Sequence, residues 1–315
     1  MNMILFRTPS RALATVFTCS LLLSASDVAA QRADTTTTKA SLLKADSTLT
    51  QLLLTIGPNA LIDLLEPNAA VLMAEQPILR GPKEARAPLL QRYSKPSQYT
   101  WHVMHAIANT SGDFGCTVGI IRFTNAADAK PVERGGVYEA CWKRNESGQW
   151  RIVGLQSQDD PGRPVLYLAG QALTKAPHSA TVSSPGNPLP EVLDADTRFA
   201  SMAAAPAGAT PAFLNFAATD AISMIAPDSA RGHEEIARLF GNDAGKFALL
   251  WNPDHSFGAG SGGLAFTVGR SVRMPIDGQA FPERHGKFLT IWRQNSDGSW
   301  SWILDLGSLR RWQPN

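Results

Sequence analysis

This sequence has no large excess of either charge. Its 315 residues carry 29 Lys and Arg against 27 Asp and Glu, a net charge of +2, so no basic field draws it toward nucleic acid. Cysteine is scarce as well: only Cys19, Cys116 and Cys141. No Cys/His pair sits at ligand spacing, which argues against a zinc site. H-E-x-x-H and the P-loop are both absent, so neither a metal nor a cofactor is expected. Gly258, Gly260 and Gly263 do spell G-x-G-x-x-G, but no helix follows to present its dipole to a phosphate. Ser261, between glycines, fails as a nucleophile elbow for the same reason. With 44% hydrophobic and only 18% charged residues, a disordered chain is excluded and packed cores are expected.

What is present begins with a leader. Arg7 and Arg11 precede an apolar run, Ala12 to Leu23, and then the small residues Val28, Ala29 and Ala30. This order predicts a cleavable signal peptide over 1–30. The run is too short to span a bilayer, and Cys19 lies inside it without the small residues a lipoprotein needs. The expectation is an exported protein, periplasmic or secreted, with no membrane association after cleavage. The Thr35–Thr38 stretch reads as a polar lead-in. In an oxidising compartment Cys116 and Cys141 can pair.

The chain also repeats itself. Shifted by 150 residues, Trp101 falls on Trp251, His105 on His255, Trp142 on Trp292 and Trp150 on Trp300. From Trp101 to Val153 the ungapped match has 14 identities in 53 positions, against about three or four expected by chance at ordinary residue frequencies. Upstream the shift is 151, pairing Gly57 with Gly208 and Gly81 with Gly232. The repeat divides the chain into a first unit over 40–158, a Pro/Ser/Gly-rich linker over 159–189 and a second unit over 190–312.

Each unit reads in the same order. Leu42, Leu49, Leu52, Leu53 and Ile56 fall at helical spacing and stop at Gly57-Pro58. A short helix, a strand near Val71 and a helix after Gly81 follow, then four strand-like runs. In the second unit the last two runs meet at Ser296-Asp297-Gly298, a three-residue hairpin with Gly where φ must be positive. Helices followed by antiparallel strands make an α+β fold.

The late strand Gly286-Lys287-Phe288 through Trp292, with the turn Asp297-Gly298-Ser299-Trp300, resembles the SnoaL-like, nuclear transport factor 2-like superfamily. Gly136 through Trp142 and Ser147 through Trp150 carry the likeness in the first copy. The resemblance implies two tandem cone-shaped domains, each a curved antiparallel sheet packed on about three helices and enclosing a pocket. It implies no particular reaction, because relatives include isomerases, cyclases, ligand binders and dimerisation modules.

Strand register supplies the candidate site. A hairpin with Asn295 opposite Ser299, and a preceding one pairing Phe266 with Ile291, puts Leu264, Phe266, Val268, Leu289, Ile291, Ile303 and Asp305 on one face. That face is expected to line the pocket. The opposite face carries Phe288, Trp292 and Trp302 and is expected to pack on the other unit or on a second chain as a homodimer. The same register places Asp305 opposite Leu289 and Glu139 opposite Leu155, each a carboxylate whose pKa should rise with burial. Asp305, Glu139 and Asp220 are therefore the candidate catalytic carboxylates, with Asp220 alternatively stabilising a turn. Phe266, Ile291, Leu289, Trp251, His255 and His105 are the candidate ligand contacts, the two histidines alternatively structural. Cys116 and Cys141 are expected opposite each other, either bridged or as buried thiols. The leading functional reading is a pocket for an apolar or aromatic small molecule. The alternatives are an isomerase, cyclase or hydrolase with a carboxylate base, and a non-catalytic assembly module.

Overall fold

The computed structural model describes residues 35–94, 99–109, 111–123, 134–158, 189–205, 208–225, 228–241, 246–258, 263–276 and 283–308. The expected leader and residues 159–188 of the expected linker lie outside them. Helix α1 (Thr35–Ile56) opens the first copy, followed by α2 (Asn59–Leu64), β1 (Leu65–Leu72), β2 (Ile78–Arg80) and α3 (Gly81–Arg92). Thr35–Thr38, read from the sequence as a polar lead-in, is the first turn of α1. Four long strands complete the copy: β3 (Tyr99–Ala108), β4 (Phe114–Phe123), β5 (Arg134–Arg144) and β6 (Trp150–Gln158). The second copy repeats the series with α4 (Pro190–Ala203), α5 (Ala209–Phe216), β7 (Ala217–Ile225), β8 (Asp228–Arg231) and α6 (Gly232–Gly241). It ends with β9 (Phe247–Gly258), β10 (Leu264–Pro275), β11 (Arg284–Gln294) and β12 (Trp300–Ser308). The fold is α+β in two copies, as the repeat requires.

Each copy forms one six-stranded sheet, ordered β2-β1-β6-β5-β4-β3 and β8-β7-β12-β11-β10-β9. The four late strands form an antiparallel meander, whereas β1 joins β6, and β7 joins β12, in parallel. The sheets are therefore mixed. The parallel pairs arise because a helical segment separates the early strand from the meander, so no hairpin constrains its direction. Gly81 and Gly232 start α3 and α6 at φ +64° and +67°. A Cβ at Gly81 would lie 2.0 Å from the Pro67 carbonyl oxygen, so the sharp entry into α3 needs glycine twice over.

Four β-bulges decide which face each side chain takes. Ile303 in β12 and Val153 in β6 are left unpaired, as Trp292 pairs with Trp302 but Ile291 with Leu304, and Trp142 pairs with Ile152 but Cys141 with Gly154. Asp254 in β9 and Met104 in β3 are likewise skipped. Phe266 does pair with Ile291, and Cys116 with Cys141. The cysteines form a disulfide at a Cα separation of 4.1 Å, the close spacing of a non-hydrogen-bonded antiparallel pair.

The expected assignment of the two faces is reversed. Phe266, Val268, Leu289 and Ile291 share a buried core with Cys116, Val118, Val137 and Cys141 of the first copy, so the aliphatic faces pack the two sheets together. Phe114 of the first copy stacks on Phe257 and Phe266 at 5.8 and 6.4 Å. Gly154 admits the tip of Phe266, where a Cβ would come within 2.7 Å of the ring. The aromatic face instead covers its own helices: Trp292 lies 6.1 Å from Phe199 of α4, and Trp302 lies 5.8 Å from Phe213 of α5. Large flat side chains fill the wide space between a curved sheet and helices, and compact aliphatic ones suit sheet-on-sheet packing.

Candidate functional site

Between the second sheet and its helices lies a small cavity of about 40 Å³, more than the space one water needs. Phe199 and Phe213 enter it from the helices, Leu249 and Trp251 from β9, Ser271 and Arg273 from β10, Phe288 and Thr290 from β11, and Asp305 and Gly307 from β12. Asp305 is there because of the Ile303 bulge. An unbroken β12 would set it opposite Leu289, on the sheet–sheet face. The extra residue sets it opposite Thr290, whose hydroxyl donates to Asp305 Oδ1 at 2.7 Å. Burial pushes the Asp305 carboxyl up to about 6, the Thr290 hydrogen bond opposing part of the rise.

Beneath the cavity lies a carboxylate that the sequence analysis missed. Asp196 of α4 is buried, its Oδ1 accepts the Trp251 indole N–H at 2.9 Å, and its Oδ2 has no hydrogen-bond partner among the described residues. Burial raises it to about 7, while Thr267 and Trp251 oppose the rise and the nearby Asp305 charge adds to it. Two acids therefore share one apolar cone, each disfavouring ionisation of the other. Asp46 of α1 is its counterpart at the same shift of 150, as 196 − 46 = 150, but there Thr117 and Tyr138 donate to both carboxylate oxygens at 2.6 and 2.7 Å. Trp142 and Trp292 donate to Thr117 and Thr267 at 2.9 Å in both copies. Extending the repeat match into the first helix, where Leu43, Ala45 and Asp46 fall on Leu193, Ala195 and Asp196, was the available signal.

The remaining sequence candidates separate. Trp251 lines the cavity, but His255, four residues along β9, pairs with Val268 on the sheet–sheet side because the Asp254 bulge intervenes. Its pKa is lowered by burial and by the charge of Arg80. His105 takes the equivalent place beside Val118. Phe266, Ile291 and Leu289 line the interface between sheets rather than the cavity. Glu139 lies there too: the Val153 bulge sets it opposite Gln156, not Leu155. It is 0% exposed, and neither carboxylate oxygen has a hydrogen-bond partner among the described residues. Burial first, and the Asp305 charge second, raise its pKa well above the ordinary carboxylate range. Asp220 is held in a buried two-pronged ion pair with Arg293, at 2.8 and 3.3 Å, which fits the stabilising alternative better than a base. Among the described residues, no group of three His, Cys, Asp or Glu side chains is placed to hold a metal ion.

No protein-family model matches the chain, and no curated protein matches it. Solved structures do. The chain is similar to an NTF2-like protein with a cystatin-like fold from Novosphingobium aromaticivorans, at 19% identity over 38% of this chain and 80% of that one, TM-score 0.32. It is also similar to a domain of unknown function with a cystatin-like fold from Nostoc punctiforme, at 16% identity over 43% and 82%, TM-score 0.34. A third similar structure is a ketosteroid isomerase-like protein from Erwinia carotovora atroseptica, at 13% identity over 37% and 91%, TM-score 0.31.

Proposed function

We propose that the second copy is a small-molecule binding domain whose cavity takes an apolar or aromatic ligand. The observation that carries this reading is the cavity itself: aromatic walls from Phe199, Phe213, Trp251 and Phe288 around Asp305, the one acidic lining residue among those described. Apolar walls with a few convergent polar groups are the usual composition of ligand sites. The Cys116–Cys141 disulfide supports the further reading that the protein works in an oxidising compartment, outside the cytoplasm.

Gly307 offers a clean test. It lines the cavity, and a Cβ added to it meets nothing within 4 Å. Gly307→Leu should therefore fold and fill part of the cavity. Lipophilic compounds that raise the melting temperature of the wild-type protein should lose that effect in the variant. Equal shifts in both proteins would place binding elsewhere.

A second reading is favoured by the Asp196–Asp305 pair. Two carboxyls raised to about 7 and about 6 within one apolar cone are matched to proton transfer near neutral pH. Turnover of a ketone or hydroxy substrate that is abolished in Asp305→Asn would establish this reading; an unaltered rate would reject it.

A further inference from the structure

We propose that the ligand of the second-copy cavity is an organic cation, an ammonium group carried on an apolar body, with its charge against Asp305 and its substituents against the aromatic walls. This rests on the reading of the cavity as a ligand site and adds the charge of the ligand.

Three observations on different elements converge on it. Four aromatic rings, Phe199, Phe213, Trp251 and Phe288, face one space, and the faces of such rings attract cations. Asp305 supplies a carboxylate at that space, and its one hydrogen-bond partner among the described residues is the neutral Thr290 hydroxyl. Behind Trp251, Asp196 keeps one buried oxygen without a hydrogen-bond partner among the described residues. A buried carboxylate without a compensating cation is costly. Here Asp305 lines the cavity and Asp196 lies buried behind its wall residue Trp251, and each raises the cost of ionising the other. A cationic ligand would relieve both at once.

The charges around Asp305 are Asp196 from α4, Arg273 from β10, and Glu139 from β5 across the sheet. Among the described residues, Arg273 is the one cation lining the cavity. Its guanidinium lies over the Phe247 ring at 4.5 Å. An anionic ligand would need Arg273 to outweigh two acids.

The test uses three probes of matched shape on the full chain: benzyltrimethylammonium, its neutral carbon isostere neopentylbenzene, and the phenylacetate anion. Calorimetric titration and thermal shift should find the ammonium bound about tenfold more tightly than the isostere, and the anion not at all. Because the probe's charge is permanent, pH dependence reports the protein alone. Its affinity should fall as pH drops through about 7 and about 6, where Asp196 and Asp305 take up protons. Asp305→Asn should remove the preference for the ammonium over the neutral isostere, since it removes the charge. Preference for the isostere or for the anion would overturn the proposal while leaving the cavity a ligand site. Binding of none of the three, with Gly307→Leu also without effect on the lipophilic library, would overturn the cavity reading itself.

Discussion

The two copies share a backbone plan and differ in what occupies it. In the first cone, Asp46 has both oxygens satisfied by Thr117 and Tyr138. Around it Tyr93, Tyr99 and Trp101 pack edge to face, and Trp101 closes on Tyr138 at 4.4 Å. In the second cone the position of Tyr138 is Phe288, that of Leu155 is Asp305, that of Ala140 is Thr290 and that of Ile121 is Ser271. Polar groups have entered the second interior while a hydroxyl has left it. The first interior thus holds a carboxylate with both oxygens bonded, and the second a carboxylate with one oxygen lacking a hydrogen-bond partner among the described residues, behind a cavity.

The largest expected effect concerns an ion pair that only the second copy has. Ala69 and Lys143 stand where the second copy places Asp220 and Arg293. Asp220→Ala should cost about 3–5 kcal/mol, because Arg293 is left buried without its carboxylate. Asp220→Ala combined with Arg293→Met should recover much of that loss in chemical denaturation. A small cost for the single variant would mean that the pair is not what fastens β7 to this sheet.

Next, Tyr138→Phe makes the first cone resemble the second. It removes the donor to Asp46 Oδ1 and should cost about 1–3 kcal/mol, the usual penalty for an orphaned buried acceptor. The converse, Phe288→Tyr, gives Asp196 the donor it lacks. It should stabilise by about 1 kcal/mol and move the Asp196 carboxyl from about 7 toward the value near 6 of Asp46, measurable by carbon NMR of labelled aspartate. Ligand-induced stabilisation should fall as the hydroxyl intrudes on the cavity.

A smaller, pH-dependent effect belongs to Glu139. Its folded-state pKa lies above the unfolded value of 4.5. The stability associated with its protonated form is thus fully present below that value and is lost as pH rises through the folded pKa. Protonated, Glu139 gains a donor, and its cross-strand neighbour Gln156 has an Oε1 with no hydrogen-bond partner among the described residues. Glu139→Gln keeps a donor and removes the titration. Its melting temperature should match wild type near pH 4 and exceed it by a few degrees at pH 8. A constant difference across that range would mean that Glu139 is not held neutral.

Much of this architecture was legible in the residues. Repeat spacing, the α+β order, the Gly148 and Gly298 hairpins and the Phe266–Ile291 and Cys116–Cys141 pairings all follow from patterns within one or two strands. The faces did not follow, because a bulge shifts every later side chain by one place and leaves the alternation of apolar residues nearly intact. Ile303 and Val153 are themselves apolar and buried, so nothing in their chemistry marks them as the skipped residues. An unbroken register therefore puts Asp305 on the pocket face for the wrong reason and puts Glu139 there too, although Glu139 lies between the sheets. Asp196 is hidden because a lone Asp on an amphipathic helix resembles a solvated one until its equivalent in the other copy, Asp46, is set beside it.

The central claim is that, among the described residues, the second cone holds an apolar cavity where Tyr93, Trp101 and Tyr138 pack together in the first. Diffraction from crystals under xenon pressure tests it without knowledge of the ligand, since xenon enters apolar cavities. The account predicts xenon density against Trp251, Phe288 and Phe199, and none against Trp101 and Tyr138. Xenon in the first cone, or in neither, would contradict it.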